Sequence, residues 1–191
     1  MKLIFATNNR HKADEIKPLV GSQFEILTLK EAGIDIDIPE PHETLKENAS
    51  EKSRTVHRLT GLNCFSEDTG LEVDILNGEP GVRSARYAGD EKSFQKNIDK
   101  LLLKLRGQSN RRARFKTVVS LILDNKEYFF EGVCKGRITE EQRGNNGFGY
   151  DSVFVPDGET HTFAELGLAE KNKFSHRQKV IASLLSFLRV Q

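Results

Sequence analysis

The sequence has 191 residues, a length that suits one domain or two lobes on a shared core and that buries a cleft without needing a disulfide or a metal staple. Its 29 Lys plus Arg against 28 Asp plus Glu give a formal charge of +1, which excludes a global field drawing the chain onto nucleic acid or membrane, so any anion site must be local. The N-terminal apolar run Leu3-Ile4-Phe5-Ala6 is too short for a signal segment and no later stretch approaches membrane-spanning length, so a soluble cytoplasmic protein is expected.

Lys2 to Ala6 reads as a short buried strand, and the polar turn Thr7-Asn8-Asn9 feeds a helix expected from about Lys12 to Val20. Phe24 to Thr28 reads as a second strand. A helix is expected from Thr44, with Leu45, Ala49, Val56 and Leu59 on one side. A third strand, near Asn63 to Ser66, is expected to end in Glu67-Asp68-Thr69-Gly70, where Gly70 permits a sharp turn. Phe94, Ile98, Leu101, Leu102 and Leu105 recur at helical spacing. Arg114 to Leu123 and Glu127 to Val133 read as strands of a hairpin joined at Asp124-Asn125. A C-terminal helix follows Ser175, with Val180, Ile181, Leu184, Leu185 and Leu188 on one face. Cys64 and Cys134 lie in apolar strand-like segments and read as small buried hydrophobes. Early alternation of strands and helices followed by an antiparallel hairpin predicts a mixed sheet with flanking helices.

Thr7 to Lys12 spans a strand-to-helix junction, where free N–H groups and the positive helix end attract an oxyanion; the same letters also make a polar turn with a helix cap. Glu67 and Asp68, with Glu40, offer the one or two carboxylates that Mg²⁺ takes beside water and phosphate oxygens, although a solvated turn is the competing reading. Glu47 has capping-box spacing from Thr44, which accounts for it without chemistry. His176 and Arg177 place cations in a helix's first turn against its dipole, and an anionic or electron-rich ligand, with Lys171 on the same wall, would offset that cost. Phe148 and Tyr150 sit in a glycine-rich loop with Asp151, suited either to core packing or to stacking on a purine. Arg111, Arg112 and Arg114 form a basic stretch that reads as a solvated strand entrance rather than an RNA site.

These segments, in order, resemble the inosine triphosphate pyrophosphatase family across nearly the whole chain. The residues that carry the likeness are Thr7-Asn8-Asn9 with Lys12; Glu47-Asn48-Ala49; Glu67 to Leu71; Pro80-Gly81-Val82 with Ser84 to Tyr87; Gly147 to Asp151; and Glu170-Lys171-Asn172 with Ser175-His176-Arg177. The resemblance implies an elongated mixed α/β fold of two lobes with a central nucleotide cleft, a homodimer, and cleavage between the α and β phosphates of a purine nucleoside triphosphate. By that likeness Thr7, Asn8, Asn9, Arg10, His11 and Lys12 hold the triphosphate. Glu40 and Asp68 bind Mg²⁺, Asp68 is the base on water, and Thr69 touches substrate. Phe148, Gly149, Tyr150 and Asp151 form the base pocket, and Lys171, His176 and Arg177 present donors to the purine 6-oxo group. Arg83 stands where the family often has an aromatic residue, and Pro41-His42 replaces a commoner Thr-Gly, so Glu43 and Glu67 compete with Glu40 as the second metal ligand. The other function classes are a purine-nucleotide sensor without hydrolysis and an RNA-binding module.

Overall fold

The computed structural model describes residues 1–21 and 23–190. Along the chain the elements are β1 (Lys2–Phe5), α1 (Arg10–Val20), β2 (Glu25–Thr28), α2 (Leu45–Thr60), β3 (Cys64–Val73), β4 (Pro80–Gly81), α3 (Phe94–Lys104), β5 (Arg112–Leu123), β6 (Lys126–Ile138), β7 (Phe154–Pro156), α4 (Leu168–Lys171) and α5 (His176–Leu188). They build the mixed α/β fold that the pattern predicts. A seven-stranded sheet runs β2-β1-β3-β5-β6-β7, with β4 on the side of β3. β1 is parallel to both β2 and β3, whereas β3–β4 and β6–β7 are antiparallel. Leu3, Ile4 and Phe5 are all buried, as expected for an interior parallel strand covered on both faces. Asp124 (φ 50°) and Asn125 (φ 63°) both take left-handed backbone, the two-residue turn whose twist matches a hairpin, so β5 and β6 follow one another directly. Among the described residues no helix is long and apolar enough to cross a membrane.

The chain divides into two compact units, residues 1–68, 117–132 and 177–191 forming one and residues 69–116 and 133–176 the other. In unit 1 the alternation of β3 directs its side chains to two separate apolar layers. Phe65 packs with Ile16 and Val20 of α1 and Val180, Ile181 and Leu184 of α5. Cys64 packs with Val56 of α2 and with Leu29 and Ile122. Unit 2 centres on Leu71, Leu101, Leu105, Phe115, Phe154 and Phe163.

Three expectations need correction. Leu59 is 61% exposed and lies off the buried face of α2, which is made of Leu45, Asn48, Ala49, Lys52, Ser53 and Val56. Phe94, the first residue of α3, is 39% exposed instead of core. The third strand does not end at Ser66. It continues through Glu67, Asp68 and Gly70 to Val73, because β4 pairs with its second half and each buried carboxylate meets a cation. Gly70 therefore makes no turn; a Cβ there would fall 2.5 Å from the Gly81 carbonyl oxygen, so its missing side chain lets β4 approach. Gly70→Ala is expected to destabilise the fold by about 1–3 kcal/mol through this overpacking. Urea unfolding checks it, and a loss below about 0.5 kcal/mol, the scale of an ordinary surface substitution, would show that β4 simply yields.

Candidate active site

The first part of the site lies where β1 hands over to α1. Asn9 caps α1, its Oδ1 accepting from the Lys12 N–H at 3.2 Å, and Thr7 Oγ1 accepts from the Asn9 N–H at 3.1 Å. The capping reading of this turn thus holds for Asn9, with Thr7 closing the turn before it, and the positive end of a helix start is also a place that suits an oxyanion. Asn8 turns its amide to the Ile36 carbonyl at 2.8 Å. Arg10 and His11 are exposed, and Arg10 makes only a loose surface pair with Asp14 at 3.7 Å. Lys12 reaches from the first turn of α1 to Glu67 at 3.2 Å.

Glu67 and Asp68 are adjacent in β3 and so point to opposite faces of the sheet. Glu67 accepts a two-pronged contact from Arg177, Nε and Nη2 each at 3.0 Å, while Arg177 Nη1 donates to Glu15 at 2.6 Å. Burial alone pushes the Glu67 carboxyl up, but Arg177 and Lys12 outweigh it and hold the group well below the usual carboxylate range. On the other face Lys52 Nζ lies 2.6 Å from Glu40 and 3.4 Å from Asp68 Oδ1. Asp68 Oδ2 is buried with no hydrogen-bond partner among the described residues. Burial pushes the Asp68 carboxyl above its ordinary value of 3.8, Lys52 and Lys12 pull it back, and Glu40 raises it again. Lys52 is itself held charged, because Asp68 and Glu40 more than offset its own burial.

Sequence reasoning missed both Lys52 and Glu15. The signal for Lys52 was there: with Leu45, Ala49 and Val56 it shares the buried stripe of α2, where a cation requires a carboxylate partner. Glu15 likewise sits among the buried residues of α1. At the start of α2, Thr44 is the N-cap, its Oγ1 accepting from the Glu47 N–H at 3.2 Å and donating to the Glu47 carboxylate at 2.7 Å, which accounts for Glu47 without chemistry.

Of the three acids open as a partner for Asp68, Glu67 is engaged by Arg177 and Lys12 and Glu43 is exposed, whereas Glu40 converges with Asp68 on one ammonium. Among the described residues no group of three or more His, Cys, Asp or Glu side chains is gathered as a metal-holding cluster. Two carboxylates, one carrying an unpartnered buried oxygen, are nonetheless the protein share of a donor set that Mg²⁺ completes with water and phosphate oxygens, so these residues fit that ion.

Unit 2 holds the glycine-rich loop. Asp151 accepts from the Phe148 N–H at 2.9 Å and from Lys171 Nζ at 2.6 Å. Gly147 has φ +74°, and a Cβ there would collide with Asp151 Oδ2, so the glycine is what lets the carboxylate close the loop. Phe148 is half-buried, 6.0 Å from the Phe94 ring, with Lys171 Nζ 5.6 Å from its centroid. Thr69 and Gly149 are half-buried.

Three expected ligands of the purine are placed differently. Arg177 is 2% exposed and directs Nε, Nη1 and Nη2 at Glu67 and Glu15, because a guanidinium buried beside two carboxylates pairs with them. His176 stacks on Phe115 at 4.7 Å inside the aromatic core, and Tyr150 donates its hydroxyl to the Ser84 carbonyl at 2.9 Å while 4% exposed, the core-packing alternative for that residue. Arg177→Ala strips Glu67 and Glu15 of the buried guanidinium they share, with Lys12 alone remaining among the cations placed beside Glu67, and is expected to cost about 3–5 kcal/mol of stability. Denaturant unfolding at pH 7 reads this directly, and a loss under about 1 kcal/mol, the size of a surface pair, would contradict it.

The chain is similar to known proteins over nearly its whole length. A family model described as the Ham1 family matches residues 3–187. The chain is 46% identical over 189 residues to a protein of Flavobacterium psychrophilum named dITP/XTP pyrophosphatase, covering 99% of this chain and 100% of that one. It is 50% identical over 188 residues to a protein of the same name from Porphyromonas gingivalis, covering 98% and 97%. Among solved structures, a HAM1 protein from Coxiella burnetii superposes with a TM-score of 0.91 at 34% identity, with full coverage of both chains. The Staphylococcus aureus Ham1 protein gives 0.89 at 37% identity, covering 99% of this chain and 98% of that one. On the buried carboxylates of β3, the shared fold and these full-length likenesses, the chain belongs to the Ham1 family.

Proposed function

We propose that this chain hydrolyses deaminated purine nucleoside triphosphates, ITP, dITP and XTP, to the monophosphate and pyrophosphate, with Mg²⁺ as cofactor. The observation that carries the reading is Asp68, a strand carboxylate with one buried oxygen unpartnered and the other 3.4 Å from the Lys52 ammonium. The naming of full-length relatives as dITP/XTP pyrophosphatases supports it. A homodimer in the cytoplasm is part of the same proposal, resting on the family resemblance.

The chemistry follows from the charges. A triphosphate repels any anionic nucleophile, and Mg²⁺ held by Glu40 and Asp68 supplies the neutralising charge when bound. Lys12, in the first turn of α1, adds a cation beside the helix-start N–H groups that suit phosphate oxygens. Asp68 takes the proton of the attacking water; the water oxygen bonds to the α phosphorus, the bridging bond to the β phosphate breaks, and pyrophosphate leaves. A base whose carboxyl is raised by burial is better matched to that task than a surface aspartate. In unit 2, considered by itself, the half-buried Phe148 ring backed by Phe94 offers a purine a stacking face.

An RNA-binding role is disfavoured by the basic stretch itself. Arg111 donates to the carbonyls of Ile138, Leu105 and Thr139, while Arg112 pairs with Asp157 and Arg114 with Glu72. A sensor without hydrolysis gives no reason for the Asp68 arrangement.

Incubating ITP and ATP separately with the protein and Mg²⁺ tests the function: pyrophosphate from ITP well in excess of that from ATP is the expected result, and orthophosphate with a diphosphate as first products would overturn the cleavage site. Asp68→Asn keeps the shape and removes the charge, so kcat should fall by roughly 10²–10⁴-fold while ITP affinity changes far less. Retention of more than about a tenth of the wild-type kcat, too small a loss for a missing general base, would remove Asp68 from that role. Lys52 pulls the Asp68 carboxyl down, so Lys52→Met should raise it further. Because the ionised form is the active one, the acid limb of the kcat profile should move to higher pH by about one unit. An unmoved or lowered limb in the pH–rate profile would break that link.

A further inference from the structure

We infer that residues 36–42 form a stiff strap whose two ends are pinned by Asn8 and Asn48, and that these two asparagines are positioning residues for Glu40. The inference deepens the proposed pyrophosphatase reading and rests on it for its kinetic arm only.

Asn48 is 1% exposed in the first turns of α2, an interior helical place where asparagine is a poor choice. Its amide is fully matched to a single residue outside the helix: Oδ1 accepts from the His42 N–H at 3.0 Å and Nδ2 donates to the His42 carbonyl at 3.1 Å. This is how one strand residue pairs with another, and it fixes His42 in both position and orientation. At the other end Asn8 Nδ2 donates to the Ile36 carbonyl at 2.8 Å.

Between the pins the strap has little freedom. Pro39 and Pro41 fix their own φ and confine the residues before them, Ile38 and Glu40, to extended backbone. Ile34, Ile36 and Ile38 pack against the layer that holds Val56 and Cys64, while the alternating Asp35 and Asp37 are exposed. Glu40 is thereby delivered to Lys52, which lies one helical turn beyond Asn48 and on the same side of α2. One helix face thus holds the strap by its backbone and receives its carboxylate. His42, directly after Pro41, is the residue that the asparagine grips.

Hydrogen–deuterium exchange read by mass spectrometry tests the strap without any turnover. In Asn48→Ala, a peptide spanning 37–43 should show exchange faster by about tenfold or more at the His42 amide, which loses its bond to Asn48, while α1, α5 and unit 2 exchange as in the wild type. Asn8 is exposed, so Asn8→Ala will fold and should loosen the same segment from its other end. Unchanged exchange at 37–43 in Asn8→Ala, or acceleration spread over all of unit 1 in Asn48→Ala, would overturn the strap.

The kinetic arm asks whether Asn48 acts through Glu40. Asn48→Ala alone should lower kcat about tenfold, with KM for ITP within about threefold and a higher Mg²⁺ requirement; in a Glu40→Gln background it should lower kcat by less than about twofold. An equal loss in both backgrounds would overturn the positioning role. A wild-type protein that releases no pyrophosphate would sink the functional reading while leaving the exchange measurement to decide the strap.

Discussion

Two adjacent carboxylates in the interior of one strand set the terms for unit 1. A buried charge without a partner is prohibitively costly, and the alternation of a strand sends neighbouring side chains to opposite sides, so Glu67 and Asp68 each require their own cation. Those cations arrive on different helices: Lys12 from α1 and Arg177 from α5 for Glu67, Lys52 from α2 for Asp68. The same helices supply the apolar side chains that cover the same two faces of β3, with Ile16 and Val180 on one and Val56 on the other. Charge pairing and core packing therefore select the same arrangement, which is the agreement between levels that a uniquely folded chain needs.

The two carboxylates are treated unequally, and under the proposed function the inequality separates a structural acid from a reactive one. Glu67 has a forked guanidinium, an ammonium and a depressed titration, all favouring a permanent anion. Asp68 has the Lys52 ammonium at 3.4 Å with Lys12 acting from further off, one buried oxygen with no hydrogen-bond partner among the described residues, and a titration raised by burial. A group with unused acceptor capacity and a weakened hold on its charge is the one able to exchange a proton or accept a ligand.

Much of this was legible in the sequence, and what was not has a physical reason. Helices and the hairpin followed from periodicity and from Asp124-Asn125, since apolar spacing and left-handed turn residues are local properties. Glu67 and Asp68 stood out as acids in an apolar strand. Their sequence made Gly70 look like a turn, because the approach of β4 is a tertiary event that no local letter encodes. Arg177 stood out as a cation at the wrong helix end, yet what relieves it lies 110 residues away at Glu67 and 162 away at Glu15. The odd residue was visible and its partner was not. The same is true of Lys52, visible as a cation on the apolar stripe of α2, whose carboxylates sit on a strand and a strap that contact order alone cannot bring to mind.

The course of the chain through its two units carries a consequence of another kind. The assignment changes from one unit to the other within β3, within β5, within β6 and again at the start of α5, so neither unit is a contiguous stretch of sequence. Neither can be copied, excised or exchanged as a cassette by a single recombination event. A segment carrying Phe148 and Lys171, such as residues 133–176, therefore brings only part of its unit with it, and a change to that half has to be made by point substitution or within its loops.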